Sequence, residues 1–412
     1  MKNLLGRLRT AWTSLPFFAL VLFAACREHP GAPKPYLAFV ANNQSNSVAV
    51  VDLANFRLLA TVPVASGPLE VAIRPGSRQV WVTSASGTLS VIRFPDLTVR
   101  HTVRVGASAQ SLIFSADGRC AFVLDPADGQ IVFLDSEAPK VVGRVRVAAP
   151  SETGDQGNGL EAPAGSGSAG VAPGSLALTP DGKTLVASAC APRRICFVSV
   201  ESQKILGAAD VGNNPGPMVI LPDNSKVFVA DTGEQKVSAV DVAARQLLAH
   251  LETASRPSVL LLKPDGGEIF VLSAPGSTLT IVDAFHDNVE QNLTTGRQPA
   301  AAVIRRNQSV LYIANAGDGS VTALDAENRE VLSSTHTGTE PRSLALTPDE
   351  RYLVVADAAS SDVAILRTDA TDNPASGSAS APRTALVTTV PVGARPIDVA
   401  IPDWLSGSAF HR

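Results

Sequence analysis

The sequence predicts an all-β fold, an eight-bladed β-propeller of four-stranded antiparallel blades. Three observations carry this. The chain has an internal period of about 42 residues, each period holds four short strand-like runs, and the chain begins on a second strand and ends on a first. The period is read from the residue opening segments such as Pro341-Arg342-Ser343-Leu344. It recurs at Pro68, Ala109, Pro173, Pro215, Pro257, Pro299, Pro341 and Pro396, with gaps of 41, 64, 42, 42, 42, 42 and 55 residues. The two long gaps hold flexible insertions near 150–172 and 369–384, rich in small residues and Pro.

The first strand of a period, such as Leu344 to Thr347, runs into a turn of Pro-Asp-Gly type, as at Pro180-Asp181-Gly182 and Pro264-Asp265-Gly266. Proline presets φ for such a turn and Asp or Gly completes it. The second strand is an apolar run such as Phe228 to Asp231, and the third is another, such as Lys236 to Asp241. Near-continuous apolar character suits strands covered on both faces by neighbouring blades. The fourth run is more polar, as in Leu247 to Thr253, which befits an edge that must not pair with other chains. Second strands end on Asn42, Ser84, Asp125, Asp231, Ser273, Asn315 and Asp357; third strands end on Asp52, Asp135, Asp241, Asp283 and Asp325. Both sets are expected to bond local backbone at turns.

Tyr312-Ile313-Ala314-Asn315, with Phe39-Val40-Ala41-Asn42, Trp81-Val82-Thr83-Ser84 and Phe228-Val229-Ala230-Asp231, resembles the tetrapeptide of the YVTN family of β-propeller repeat proteins. The resemblance spans Tyr36 to about Asp403 and is most degraded at Val186 to Ala189. It implies a propeller and little about activity, because that family is defined by its fold. Many relatives have seven blades. Here eight first strands and eight second strands are counted, so the domain 36–403 closes by pairing Ile397–Ile401 beside Tyr36–Asn42, leaving 404–412 as a tail.

The N-terminus reads as a targeting segment. Lys2, Arg7 and Arg9 precede the apolar run Leu15 to Ala25, which is shorter than the roughly 20 residues a spanning helix needs. Leu22 to Cys26 resembles the lipobox of bacterial lipoproteins. The resemblance implies a signal peptide over 1–25, lipid on Cys26, a tether over 26–35, and, with Arg27 rather than Asp after the cysteine, the outer membrane. A net charge of −4 without long Lys or Arg runs argues against nucleic acid. Cys190 and Cys196 flank one hairpin turn, where either a disulfide or two thiols would fit an exported chain. No CxxC or Cys/His pattern suggests a metal cage.

Candidate recognition residues gather around the anchors. Arg256, Arg297, Glu340, Arg342, Arg395, Asp398 and Glu70 come from blades that adjoin across the closure, whereas Ser108, Ala172 and Asn214 stand on the other side. A rim of this kind suits a binding or scaffold module in the cell envelope, with an envelope protein or an acidic polysaccharide as partner and no cofactor. A lactonase-like or calcium-assisted hydrolase using the rim carboxylates is the alternative. His101, His250 and His336 fall on fourth strands and His286 in a turn, so neither a rim haem ligand nor a Ser-His-Asp base is expected. Gly165 to Gly170 matches GxGxxG but lacks the strand and helix that a phosphate cradle requires.

Overall fold

A computed structural model describes residues 36–147, 174–370 and 383–403. Thirty-two strands and no α-helix occur among them. They form eight sheets, each of four antiparallel strands. Blade 1 is composite: Leu37–Asn42, Ser47–Asp52 and Arg57–Pro63 are completed by the C-terminal strand Pro396–Ala400. That strand lies antiparallel to the first, with Val40 opposite Val399 and Ala41 opposite Asp398. Blades 2 to 8 follow in chain order, and their innermost strands begin at Pro68, Gln110, Leu176, Pro215, Val259, Pro299 and Pro341. Eight blades and the closure are therefore as the repeat count implies. The segments 1–35, 148–173, 371–382 and 404–412, with Cys26 and most of both insertions, lie outside the described residues.

Burial follows the sequence gradient. The second and third strands of blade 5, Lys226–Asp231 and Lys236–Asp241, are buried at almost every position, whereas the outermost strand Gln246–Glu252 is mostly exposed. Consecutive side chains of an inner strand point into two different interblade layers. Phe228 joins the layer against Ile269 and Val271 of blade 6, and Val227 and Val229 join the layer with Val186 and Phe197 of blade 4. Truncating one such phenylalanine to alanine costs about 3–5 kcal/mol, so each layer depends on both of its blades.

Third-strand aspartates behave as expected. The Asp52 carboxylate accepts from the backbone N–H of Ala54 at 2.9 Å, Asp135 from Glu137 at 2.9 Å, and Asp325 from Asn328 at 2.8 Å. The second-strand residues do something the local reading missed. Asp125 is fully buried and accepts from the backbone N–H groups of Ala107 and Ser108, both at 3.1 Å, in the loop that leads in from the preceding blade. The loop reaches it because a glycine stands there. A methyl group on Gly212 would come within 2.3 Å of the Asp231 carboxylate, and one on Gly296 within 2.5 Å of the Asn315 amide carbon. These side chains fasten one blade's approach loop and are not simply turn formers. In blade 4, Cys190 and Cys196 are joined by a disulfide across the second hairpin.

Candidate functional site

The innermost strands surround a central channel, and the residue two past each anchor sets its chemistry. At that position stand Asp398, Glu70, Ser111 and Ser175 on blades 1 to 4, then Pro217, Val259 and Ala301, then Ser343 on blade 8. Four of the five polar members tie neighbouring blades together. Asp398 Oδ2 accepts from Val71 N–H at 2.8 Å, Glu70 Oε2 from Leu112 N–H at 2.9 Å, and Ser111 Oγ from Leu176 N–H at 3.1 Å. Ser343 Oγ accepts from Val399 N–H at 3.3 Å and donates to Asp398 Oδ1 at 2.8 Å. The closing strand is thus clasped from both sides, by blade 8 and through blade 2. Pro217, Val259 and Ala301 offer no side-chain acceptor, so five polar positions and three apolar ones follow each other around the channel.

Burial in the channel wall raises the Glu70 carboxyl to about 7, helped by the negative charge of Asp398 and opposed by the Leu112 hydrogen bond. Asp398 is pushed upward by burial against the bonds from Val71, Ser343 and Val399. Burial likewise raises Asp357 to about 7 and Asp231 to about 6, against hydrogen bonds from Thr337 and Ser238 respectively. Glu70 and Asp398 therefore sit in the channel wall as ties between blades, one level below the rim.

The five other candidates separate according to their offset from the anchor. Arg256, Glu340 and Arg395 immediately precede it, whereas Arg297 stands one residue further back and Arg342 one residue past it. That single step turns Arg297 away: its Nε lies 2.6 Å from Asp318 Oδ1 and its Nη2 donates to Gly317 O at 2.9 Å. Arg342 pairs with Glu340. Arg256 and Arg395 are exposed and have no ionic partner among the described residues. Glu340 and Arg395 reach the lip in left-handed conformations, at φ 62° and 56°. The residue before the anchor is left-handed at Gly67, Asn214 and Gln298 as well, so this conformation belongs to the repeated approach turn.

Two adjoining cavities occupy the channel mouth. One, of about 950 Å³, takes Arg395 and Ile397 from blade 1 and Glu340 and Arg342 from blade 8, with Gln298 and Ala300 of blade 7. The other, of about 580 Å³, runs from Glu70 on blade 2 to Arg256 on blade 6. They meet at Ser258, Ala274 and Pro275. The structure so brings Arg342, Arg395 and Glu340 to one cavity and Arg256 and Glu70 to the other, and leaves Arg297 out of both. Neither cavity is lined by His or Cys, and no group of three or more His, Cys, Asp or Glu placed to hold a metal ion occurs among the described residues.

One grouping corrects the expectation that serine, histidine and aspartate cannot converge. In blade 5, Ser238 Oγ lies 3.0 Å from His250 Nδ1 and donates to Asp231 Oδ2 at 2.7 Å. The order is wrong for a nucleophile: the aspartate holds the serine proton, and Ser238 is buried. Its Oγ also accepts from Gly212 N–H at 3.2 Å, as Ser90 accepts from Ala65 and Thr280 from Ala254. The hydroxyl fastens an interblade loop, a role repeated in other blades. The period-42 alignment of third strands could have revealed it.

Fold and channel together define a closed eight-bladed β-propeller with an open, charged mouth. The family described as lactonase, 7-bladed beta-propeller, matches residues 266–382, which covers only the last third of the ring. No curated protein sequence matches the chain. Among solved structures it is similar to dihydro-heme d1 dehydrogenase NirN in complex with DHE, with a TM-score of 0.69 and 14% identity over 90% of this chain and 76% of that one. It is also similar to Kuenenia stuttgartiensis hydrazine synthase, with a TM-score of 0.53 and 18% identity over 72% of this chain and 96% of that one. At such identities the likeness is one of fold.

Proposed function

We propose that this propeller is a binding or scaffold module that receives an acidic partner at its channel mouth, held in the cell envelope by lipid on Cys26. The observation that carries the reading is the pair of exposed arginines, Arg256 and Arg395, which face opposite cavities of one mouth without ionic partners among the described residues. Guanidinium groups are forked donors suited to carboxylate and sulfate. Their spacing across the mouth favours a partner with repeated acidic groups, such as an acidic polysaccharide or an acidic loop of an envelope protein. A neighbour of this fold solved in complex with a ligand supports the use of such a scaffold for binding. The test is retention on immobilised acidic polysaccharide at 0.1 M and 0.5 M salt, together with crosslinked capture from envelopes. Arg256→Ala/Arg395→Ala should lose the salt-sensitive capture, because exposed charges are screened beyond about 10 Å at 0.1 M. Unchanged capture by the double variant would remove the reading.

The second reading, a lactonase-like hydrolase, is favoured by the family match over residues 266–382. Against it stand the hydrogen-bonded roles of Glu70 and Asp398 and the pairing of Glu340 with Arg342. Lactone hydrolysis that is stimulated by calcium and lost in Glu340→Gln would establish it over the binding role.

A further inference from the structure

We propose that the part of the mouth between blades 2 and 6, which shares Arg256 with the proposed capture surface, is also a site for a small amphiphilic monoanion, an apolar body bearing one carboxylate or similar head. This goes beyond the capture of a macromolecular partner at the lip. The cavity of about 580 Å³ has the size of a small-molecule site. Its walls are of two kinds. Blades 5 and 6 present Pro217, Pro257, Ala274 and Pro275, an apolar surface made of stiff or small residues that needs little ordering to receive a ligand.

The facing wall is polar, with Glu70, Ser111 and Ser175. Glu70 commits Oε2 to Leu112, while its other oxygen takes no hydrogen bond from the described residues. A polar edge of the ligand can therefore bond Glu70 without breaking the tie between blades. The head group is assigned by Arg256, the cation of this cavity, which is exposed and has no ionic partner among the described residues. A single guanidinium selects one negative charge, since a second would find no counterion in this cavity.

The experiment is calorimetric titration of the full chain at pH 6 with hexanoate, 4-phenylbutyrate and indole-3-acetate, each set against its neutral amide. At least one acid should bind saturably with a Kd below about 5 mM. Its amide should bind about tenfold or more weakly, as loss of a charge-assisted hydrogen bond predicts. Arg256→Ala should weaken the acid by the same factor and leave the amide unchanged. Arg395→Ala, which tests the lip, should leave the acid unchanged. No saturable binding by any acid, equal binding of acid and amide, or equal losses in the two arginine variants would overturn the assignment. Loss of polysaccharide capture alone in Arg395→Ala would leave this site standing.

Discussion

Replacing Glu70 with glutamine should make the propeller more stable at pH 8 and leave it nearly unchanged at pH 5. Glu70 stands at about 7 in the folded chain against an ordinary value of 4.5. The folded state therefore binds a proton that the unfolded state releases between those values, and stability falls as pH rises through that window. Each pH unit is worth about 1.4 kcal/mol, so Glu70 accounts for at most roughly 3.5 kcal/mol, less whatever channel water screens. Asp357 and Asp231 act with the same sign. Carboxyls held below their ordinary value, such as Asp318 beside Arg297, lose their contribution only as pH falls through their lower folded values. The contribution of these groups is therefore greatest at about pH 4, between the two windows. Glutamine keeps a carbonyl for Leu112 N–H and removes the charge beside Asp398. In a ring of this size a few kcal/mol moves Tm by roughly 3–6 °C, measurable by circular dichroism melts at the two pH values. If the difference between Glu70→Gln and wild type were the same at pH 5 and pH 8, the carboxyl would not be held protonated by its surroundings and the reasoning would fail.

Asp398→Ala should cost about 2–5 kcal/mol in a urea titration, since it strands the buried N–H of Val71 and the hydroxyl of Ser343; a cost below 1 kcal/mol would dismiss the clasp on the closing strand. Gly212→Ala should lower Tm by several degrees because the new methyl would meet the Asp231 carboxylate at 2.3 Å, and pairing it with Asp231→Ala should restore part of the loss if the clash is the cause. Removing residues 396–412 should abolish cooperative melting, whereas removing 152–170 should barely move it, and equal losses would refute closure by the last strand. Cys26→Ser should shift the protein from the membrane to the soluble fraction, because acyl chains contribute about 0.8 kcal/mol per buried methylene; unchanged fractionation would dismiss the lipid anchor.

Blade number, strand order and the identity of the closing strand were legible because a 42-residue period repeats the same burial problem eight times. What escaped were the side-chain contacts that run between periods. Asp125 looks like a turn former from its neighbours in sequence, yet its partners Ala107 and Ser108 lie 18 and 17 residues away. Glu70 and Asp398 look like rim charges because they stand two residues past an anchor. The alternation of a strand points such residues into the channel wall. Arg297 and Arg256 seem equivalent by eye, and a one-residue difference in offset decides that one folds onto Asp318 while the other faces a cavity. Even so, Arg256, Glu340, Arg342 and Arg395 could be placed at the mouth from their anchors alone.

The clasp between Val71 and Asp398 joins residues 327 positions apart. During synthesis, the strands of blades 2 to 8 emerge before the closing strand, and the ring can be completed only after it. The three N-terminal strands of blade 1 have to wait with an unpaired inner edge until the last strand is made. At a synthesis rate of roughly 5–20 residues per second, that interval is on the order of tens of seconds. A ribosome product that stops short leaves the edge open for good. The ring is therefore whole only once its last strand is in place, and a chain that stops short leaves an unpaired strand edge, open to pairing with other chains.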